Sequence, residues 1–203
     1  SVLMIGTFPG MKVKPGAMGF PAPIFDFELL DETLHPVPAG EVGEIAVRVK
    51  PDHPRGLFRG YLDDDELNHK VFRDGWYLTG DRARKDEDGY LWFIGRSDDI
   101  IKSSGYRIGP FEVESALLEH EAVVEAAVVG VPDRMKGQRV KAFVVLAPGF
   151  TGSEELVKSL QSHVKKVTAP YKCPKEIEFV ADLPKTISAK IRRVELRERG
   201  AGR

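Results

Sequence analysis

Two apolar stretches decide the fold of the second half of the chain: VVEAAVVGV at residues 123–131 and QRVKAFVVLA at residues 138–147. A short run of apolar residues, bounded by polar ones, is typical of a β-strand that is buried in a core. We therefore predict one strand in each stretch.

The segment before these strands, PFEVESALLEH at residues 110–120, has the pattern of an amphipathic helix. Pro110 suits the first helical turn, where a backbone N–H is not needed. Val113, Leu117 and Leu118 recur at helical spacing, so we predict that they share the face that is turned toward the core.

A second helix is predicted after the strands, over residues 153–167. Ser153 is a suitable N-cap, because its hydroxyl accepts a hydrogen bond from a backbone N–H that the first turn leaves unpaired. Leu156, Leu160 and Val164 follow at helical spacing and define the apolar face.

A third strand is predicted in residues 176–183 and a short terminal helix in residues 191–199. The order α-β-β-α-β-α within about a hundred residues is typical of a compact α+β module. We divide the chain where this pattern begins, into residues 1–97 and 98–203.

The first part of the chain has the apolar and polar alternation of β structure. Acidic residues begin one short segment, where the dipole of a helix favours negative charge. Proline and glycine make residues 51–60 a predicted loop. The predicted elements are strands over residues 24–30, 41–49 and 90–96, a helix over residues 63–72, and a hairpin turn at Asp88 and Gly89. The predicted fold class is α+β: a small β-rich unit followed by a compact α+β unit.

Length and composition describe a globular chain. Its 203 residues suit one ordinary domain or two small ones, and 42% of them are hydrophobic and 30% charged. The formal net charge of −1 indicates no polyanionic partner such as a nucleic acid. No apolar run approaches the roughly 20 residues that span a bilayer, and the N-terminus has no signal-peptide pattern.

The single cysteine, Cys173, excludes an internal disulfide and a cysteine metal cluster. It fits a reducing compartment. The predicted location is therefore the cytoplasm, or the mitochondrial matrix if the protein is eukaryotic.

Three stretches contain most of the candidate functional residues, and each also has an ordinary structural interpretation. They are GWYLTGD at residues 75–81, GRSDDIIKSSGYRIGPFEVE at residues 95–114 and LPKTISAKIRR at residues 183–193. Taken alone, an aspartate after Thr-Gly is most often a turn residue, and a basic loop with a glycine is a plain turn. A lone lysine near a C-terminus is nearly always solvated.

Together, in this order and spacing, the three stretches resemble the adenylate-forming superfamily, which contains acyl-CoA synthetases, luciferases and the adenylation domains of peptide synthetases. The resemblance covers essentially the whole chain. Residues 6–23 and 167–186 narrow it toward medium-chain acyl-CoA synthetases. It implies an AMP-forming acid–CoA ligase, in which a medium-chain fatty or related acid reacts with ATP to give an acyl-adenylate, and CoA then gives acyl-CoA and AMP.

The resemblance implies nucleotide-binding roles for Asp81, Arg96 and Arg107. A carboxylate at position 81 would accept hydrogen bonds from the ribose hydroxyls of ATP and AMP. Arg96 would contact the ribose or phosphate, and is otherwise a surface charge. Asp98 matches the hinge residue about which the small domain rotates, although the residues alone predict only a polar loop.

The loop KSSGYR at residues 102–107 would act in the second half-reaction. The resemblance implies that Ser104, Gly105 and Tyr106 line the pantetheine passage of CoA, with Gly105 used because a side chain would block close approach. Lys102 would assist the thioester step. Arg107 would face the substrate phosphate or carboxylate.

Lys190 matches the catalytic lysine of the family and would also contact the nucleotide. Its ammonium would stand between the attacking carboxylate and the α-phosphate and neutralise the charge that builds up there. The family usually has glycine immediately before this lysine, whereas here the residue is Ala189. The alanine costs about 1 kcal/mol if the backbone requires a positive φ, and is tolerated if glycine supplies only flexibility. The sequence leaves both open.

A scattered set of lysines in the second unit has two interpretations: a solvated surface, or a site for the nucleotide end of CoA. The resemblance favours the second, since that end of CoA has a 3′-phosphate and a diphosphate. The residues predicted to meet these groups are Lys136, Lys165 and Lys175, from a set that also includes Lys166 and Lys172.

The phosphate loop of the family and its later Thr-Glu segment, whose glutamate serves Mg²⁺, are absent from this sequence. We therefore expect residues 1–97 to be the last β-rich part of the large AMP-binding domain and residues 98–203 the mobile lid domain. The expected partners are ATP or AMP, CoA, a carboxylic acid and the missing N-terminal part of the same enzyme, and the chain alone is expected to be inactive. The alternative is a non-catalytic nucleotide- or CoA-binding or interaction module. A homo-oligomer and the chain length of the acid are left open.

Overall fold

The computed structural model describes residues 3–202, which form two compact units that follow one another in the chain. The first unit ends at Asp98 and the second begins at Asp99. Each unit has its own sheet and its own apolar clusters.

The first unit consists of antiparallel strands and one short helix. Its elements are β1 (Ile5–Gly6), β2 (Phe20–Pro21), β3 (Phe27–Leu30), β4 (Val42–Arg48), α1 (Asp65–Val71), β5 (Phe72–Arg73), β6 (Trp76–Lys85) and β7 (Leu91–Arg96). β1 and β2 pair with each other, and a five-stranded sheet contains the order β3-β4-β6-β5, with β7 also paired to β6. β6 is therefore the strand that organises this unit.

Side-chain alternation along β3 and β4 places apolar residues on both faces of this sheet. Leu29 and Ile45 belong to one buried cluster, and Leu30 and Ala46 to another. The strand predicted to begin at Ile24 begins three residues later, because the Phe25 N–H donates to the Ala22 carbonyl at 3.0 Å and closes a turn. Ile24 is 60% exposed.

The predicted helix and hairpin of the first unit are both confirmed. Asp64 caps α1, where its carboxylate accepts a hydrogen bond from the Leu67 N–H at 2.9 Å. Between β6 and β7, Asp86 accepts the backbone N–H groups of Asp88 and Tyr90, and Gly89 has a φ of +87°. This turn fixes the register in which β7 returns along β6.

The second unit is a mixed sheet covered by helices on both faces. Its elements are β8 (Ile101–Ser103), β9 (Tyr106–Ile108), α2 (Pro110–Leu118), β10 (Val123–Asp133), β11 (Gly137–Leu146), α3 (Glu154–Val167), a 3₁₀ turn (Pro170–Lys172), β12 (Glu176–Phe179) and α4 (Arg193–Gly200). The sheet order is β10-β11-β8-β9, and β12 pairs with β11 in parallel. The α+β class predicted from the sequence is confirmed.

Successive residues of β10 point to opposite faces, and both faces are buried. Ala126 and Val128 belong to the cluster that includes α2 and α3, whereas Ala127, Val129 and Val131 belong to the cluster that includes α4. This two-sided burial explains why the sequence of β10 is a nearly continuous apolar run rather than an alternating one.

The two predicted amphipathic helices occur, with one correction. Val113 and Leu117 of α2 are fully buried, and Leu160 and Val164 of α3 are too. Leu118 was predicted to face the core but is 48% exposed. It follows Leu117 directly, and one residue turns an α-helix by about 100°, so the two side chains leave the helix in different directions.

Three features of the second unit differ from the predicted elements. The segment interpreted as a plain turn is the hairpin of β8 and β9, which joins the sheet where Ser103 pairs with Gly137 of β11. β12 ends at Phe179, so the predicted third strand is too long. α4 begins at Arg193, two residues later than predicted, because residues 185–191 form a separate turn.

Candidate functional site

Asp81 lies within β6, in register with Arg96 of β7. Its backbone N–H donates to Thr79 Oγ1 at 3.1 Å, and Arg96 Nη1 lies 3.4 Å from its Oδ1. The carboxylate is 39% exposed, so solvent can reach it. The interpretation of Asp81 as an ordinary turn residue is wrong, because the residue belongs to a paired strand.

Arg96 connects the predicted ribose-binding residue to the predicted hinge residue. Its Nε lies 3.0 Å from Asp98 Oδ1, while Nη1 also donates to the Thr79 carbonyl at 3.4 Å. Gly80 has a φ of +77°, and a Cβ there would come within 2.7 Å of Arg96 Nη2. Glycine at position 80 is thus favoured by its backbone angle, and a side chain there would also displace the guanidinium of Arg96.

A cavity of about 420 Å³ opens beside Arg96 within the first unit. Glu44 lies in its wall, where one carboxylate oxygen accepts the Gly80 N–H at 3.0 Å and the other accepts the Ser97 hydroxyl at 3.3 Å. Lys70 and Arg73 line the same cavity. Its walls therefore combine cations with hydrogen-bond acceptors, a combination that suits a polar, phosphorylated molecule.

In the second unit, Ser104 and Gly105 are the two central residues of the β8–β9 hairpin. Their φ values are +51° and +82°, as a two-residue type I′ turn requires. A Cβ on Gly105 would meet nothing within 4 Å among residues 3–202. Within this part of the chain, the glycine is therefore explained by its backbone angle and not by crowding.

Lys102 and Arg107 are cross-strand partners at the base of this hairpin, and both are exposed. Like charges on directly opposite residues of a hairpin repel one another. The Lys102 N–H donates to Gln138 Oε1 at 2.8 Å, which fixes this end of β8 against β11. The result is a pair of neighbouring cations on a fixed backbone, a feature that suits binding of an anion.

The hairpin forms one wall of a pocket of about 220 Å³. Four of the six residues predicted to bind CoA line this pocket: Ser104, Tyr106, Lys136 and Lys175. The Ser104 N–H donates to the Lys136 carbonyl at 3.0 Å, so the tip of the hairpin and the β10–β11 loop are held together. The structure thus gathers residues that lie up to 71 positions apart (104 and 175) in the sequence.

Tyr171 completes this pocket and was missed by the sequence analysis. Its ring stacks on Tyr106, with 4.1 Å between the ring centroids and 14° between the planes. The neighbouring Lys172 pairs with Glu112 at 2.5 Å and does not line the pocket. The segment 167–186 had supported the resemblance as a whole, but nothing in its residue types distinguishes a tyrosine that lines a pocket from one on an ordinary surface.

Cys173 forms the inner wall of the pocket and is buried. Burial raises the pKa of its thiol, while the charges of Lys165 and Lys175 act in the opposite direction. Lys165 is thus near the pocket, on the exposed last turn of α3, but it does not line it. Gly105 is likewise outside the lining. The cysteine is kept as a neutral thiol, which is the unreactive form.

Lys190 ends a tight turn between β12 and α4. Thr186 and Lys190 are joined by two hydrogen bonds: the Thr186 N–H donates to the Lys190 carbonyl at 2.8 Å, and the Lys190 N–H donates to Thr186 Oγ1 at 3.1 Å. The side chain of Lys190 is exposed, and its ammonium has no hydrogen bond or ion pair with any of residues 3–202. Lys190 does not line the pocket of Tyr106 and Tyr171.

The structure answers the question that Ala189 had left open. Its φ is +59°, in the left-handed region that favours glycine, and its N–H donates to the Thr186 carbonyl at 2.9 Å. The turn before Lys190 therefore requires a positive φ, and alanine adopts it at a conformational cost.

Residues 3–202 contain no group of three or more histidine, cysteine, aspartate or glutamate side chains arranged to hold a metal ion. Among the same residues, no helix has the length and apolar character needed to cross a membrane.

Comparison with known sequences identifies the second unit. Residues 112–190 match the model of the AMP-binding enzyme C-terminal domain. The chain is 55% identical over 201 residues to the mitochondrial acyl-coenzyme A synthetase ACSM3 of Rattus norvegicus, covering 98% of this chain and 35% of the relative. It is 56% identical over 197 residues to 4-hydroxybutyrate–CoA ligase 1 of Metallosphaera sedula, covering 97% and 35%. The chain thus spans about a third of the length of the curated relatives that it matches.

Solved structures give the same picture. A crystal structure of the anthranilate CoA ligase AuaEII with anthranoyl-AMP matches with a TM-score of 0.86 and 38% identity, covering 98% of this chain and 37% of that one. A benzoate CoA ligase from Burkholderia xenovorans LB400 matches with a TM-score of 0.81 and 39% identity, covering 96% and 38%.

Proposed function

This chain belongs to the adenylate-forming acyl-CoA synthetase superfamily, and we propose that it forms the CoA-binding and lysine-bearing part of an AMP-forming acid–CoA ligase. The resemblance inferred from the three sequence motifs is confirmed by the relatives. The proposed reaction is the joining of a carboxylic acid to CoA at the expense of ATP, through an acyl-adenylate.

In the first half-reaction, a carboxylate oxygen of the acid attacks the α-phosphorus of ATP, and the bond to the diphosphate leaving group breaks. We assign Lys190 to this step. Its exposed ammonium has no partner among residues 3–202, so it is available to neutralise the two anions that approach one another. Asp81 would accept the ribose hydroxyls and Arg96 would contact the ribose or phosphate, as the resemblance implies.

In the second half-reaction, the sulfur of CoA loses its proton and attacks the acyl carbonyl carbon, and AMP leaves. We assign the pocket of Ser104, Tyr106, Lys136 and Lys175 to CoA. The paired cations Lys102 and Arg107 lie on the same hairpin and would meet negative charge on the substrate phosphate or carboxylate.

The rotation that would alternate these two steps is proposed to occur at Asp98. In the state described here, Asp98 and Asp81 share one guanidinium, that of Arg96. A nucleotide ribose that donates a hydrogen bond to Asp81 would weaken the ion pair of Arg96 with Asp81 relative to its ion pair with Asp98. Through Arg96, nucleotide binding at Asp81 would therefore affect the proposed hinge residue, and all three residues belong to the first unit.

Mg²⁺ is expected in enzymes of this kind, to neutralise the phosphates of ATP. No Mg²⁺ ligand is assigned to this chain, because the Thr-Glu segment whose glutamate serves Mg²⁺ in the family is absent from its sequence. We propose that its ligands lie in the part of the enzyme that the longer relatives have and this chain lacks.

The mitochondrial relatives favour the matrix for a eukaryotic protein, and the cytoplasm is the proposal for a bacterial or archaeal one.

The observation that carries the proposal is the pocket in the second unit, where lysines from two distant segments meet a stacked pair of tyrosines. Isothermal titration of the chain with CoA tests it directly. We expect Lys136→Ala and Lys175→Ala each to weaken binding about tenfold, because each removes a charged contact to a phosphate.

Two controls make this titration specific. Lys158 is exposed on α3 and does not line the pocket, so Lys158→Ala is expected to leave CoA binding unchanged. CoA that lacks the 3′-phosphate should bind the unsubstituted chain more weakly. If Lys158→Ala weakened CoA binding as much as Lys175→Ala does, the lysines would act only through the overall positive charge that they contribute to the protein.

The alternative function is a CoA- or nucleotide-binding module without turnover. The observation that favours it is that the pocket lies wholly within the second unit, while the chain spans 35% of the length of its relatives. Release of diphosphate, measured with ATP and a medium-chain or aromatic acid, separates the two. Turnover by this chain alone would contradict the expectation that it is incomplete, and CoA binding without turnover fits either a module or one part of a larger enzyme. Activity after fusion behind the upstream part of a relative would establish the second.

A further inference from the structure

The segment that follows Lys190 is fixed by a largely buried ion pair. Arg193 is the first residue of α4, and its Nη2 lies 2.8 Å from both carboxylate oxygens of Glu114 on α2. The Glu114 side chain is only 8% exposed and also accepts the Val128 N–H of β10 at 2.8 Å. One carboxylate therefore joins α2, β10 and the start of α4.

The same helix is also tied to the first residue of the second unit. Asp99 lies 2.8 Å from Arg197 Nη1 and 3.6 Å from Arg193 Nη1, and its side chain is 11% exposed. Asp99 directly follows Asp98, the proposed hinge residue. The place where the second unit begins and the helix after Lys190 are thus joined by ion pairs within that unit.

The other end of the turn has an anchor of its own. Lys185 lies 2.8 Å from Glu125 of β10 and 3.3 Å from Asp182. The Arg192 N–H donates to the Pro184 carbonyl at 2.8 Å, which closes the base of the turn between the two anchors. Lys190 is left with an exposed side chain, so its direction depends on the backbone that these contacts hold.

We propose that Asp99, Glu114, Arg193 and Arg197 are positioning residues for Lys190. They hold the turn of residues 185–191 and the beginning of the second unit as one body, so that a rotation at Asp98 carries Lys190 with it. This inference rests on the proposed function for the role of Lys190 in adenylation. The connection between the ion pairs and the turn is a separate property, which can be measured without any substrate.

Residue-resolved amide hydrogen exchange of the whole chain tests the connection. The reporters are the N–H groups of Ala189, Lys190 and Arg192, each of which donates a hydrogen bond within the turn. We expect Asp99→Asn, which removes a charge without changing shape, to speed their exchange at least tenfold. Arg193→Lys keeps a charge beside Glu114 and should recover much of the protection that Arg193→Gln loses.

The matched control is Arg199→Gln, on the same helix. Arg199 pairs with Glu178 of β12 and contacts neither Asp99 nor Glu114. We expect it to change exchange in the turn less than twofold. Amides of α3 report on unfolding of the whole unit, so a purely stabilising role would speed exchange in α3 and in the turn equally. That outcome, or an unchanged turn in Asp99→Asn, would overturn the proposal.

A kinetic experiment connects the same residues to the reaction. The chain is fused behind the upstream part of a curated relative, and a single turnover of adenylation is followed. Asp99→Asn should lower the maximal adenylation rate about tenfold, with the concentrations of ATP and of the acid that give half of this rate within twofold of those of the parent. Formation of the thioester from added acyl-adenylate should change less than twofold.

The two experiments fail in different ways. If the unsubstituted fusion forms no adenylate, the proposed function is wrong, while the exchange measurement still decides whether the ion pairs hold the turn. If adenylation occurs and Asp99→Asn leaves its rate unchanged, the positioning role is wrong and the proposed function stands.

Discussion

At the scale of single residues, Ala189 shows a disagreement between sequence and backbone next to the proposed catalytic lysine. The sequence shows that alanine replaces the glycine usual in the family, but it does not give the backbone angle on which the consequence depends. The φ of +59° supplies it. An L-residue in this conformation brings its Cβ close to the following carbonyl oxygen, at a cost of roughly 1–2 kcal/mol. The turn that presents Lys190 is therefore strained by its own sequence.

Ala189→Gly is expected to stabilise the second unit by about 0.5–1 kcal/mol, since the relief of strain exceeds the greater freedom of glycine in the unfolded chain. Urea unfolding followed by circular dichroism measures the difference. Ala169 has a φ of −79°, so Ala169→Gly relieves no strain and should destabilise. Equal destabilisation by the two substitutions would show that the left-handed angle carries no cost.

At the scale of elements, one ion-pair cluster attaches an irregular loop to the β6–β7 hairpin. Lys14 lies 2.7 Å from Asp86 and 2.6 Å from Asp88, two residues of the connection between β6 and β7. The Trp92 indole N–H donates to Asp86 at 3.0 Å. The hydrogen bond from Lys14, with those from Trp92 and the Tyr90 N–H, lowers the pKa of Asp86 to about 2. The ionised form of one carboxylate thus holds loop, turn and strand together.

A carboxylate whose pKa is lowered by folding contributes stability above its ordinary pKa of 3.8, and this contribution is lost as the pH falls toward about 2. We expect the fluorescence of Trp92 to change in this window, because its indole N–H would then donate to a neutral carboxyl group, a weaker acceptor than the carboxylate. Asp86→Asn should abolish the change. Trp92→Phe, which leaves only Trp76 as a tryptophan, should abolish it too.

The fluorescence change reports on Asp86 only while the fold remains intact. Circular dichroism recorded in parallel identifies global acid unfolding, and only a fluorescence change that precedes it reports on Asp86. A change that persists with the same midpoint in Asp86→Asn would assign it to another group.

The elements could be predicted where the physical signal is local. Leu160 and Val164 recur at the helical period, and Asp88-Gly89 has the backbone freedom that a hairpin turn needs. The sequence does not predict which distant segments pair with one another. The pairing of β8 with β11, and the parallel pairing of β12 with β11, depend on how the whole core packs. The same limit applies to the site. Only the family resemblance selected Lys136 and Lys175 from a scattered set of lysines, and the place of Tyr171 in the pocket depends on its stacking with the ring of Tyr106.

At the scale of the whole molecule, the apolar clusters among residues 3–202 form two sets, and each set lies within one unit. Leu30 is fully buried in the first unit, in a cluster with Ala46, and Leu117 is fully buried in the second, in a cluster with Val113. Since each cluster consists of residues from a single unit, the core that it describes can form within that unit. We therefore expect the two units to unfold as separate transitions.

The distribution of tryptophan allows this expectation to be tested on the intact chain. Both tryptophans, Trp76 and Trp92, belong to the first unit, whereas circular dichroism reports on both units. Leu117→Ala should destabilise the second unit by about 2–5 kcal/mol through the cavity that it leaves. In urea, the part of the circular dichroism change that comes from the second unit would then occur at a lower concentration. The tryptophan transition would be unchanged. Leu30→Ala is the reciprocal variant and should shift the tryptophan transition by a similar free energy. The opposite outcome is that Leu117→Ala lowers the urea midpoint of the tryptophan transition as much as that of the circular dichroism transition. The two units would then unfold as one cooperative body. In that case the rotation proposed at Asp98 would have to break contacts as strong as those of a core.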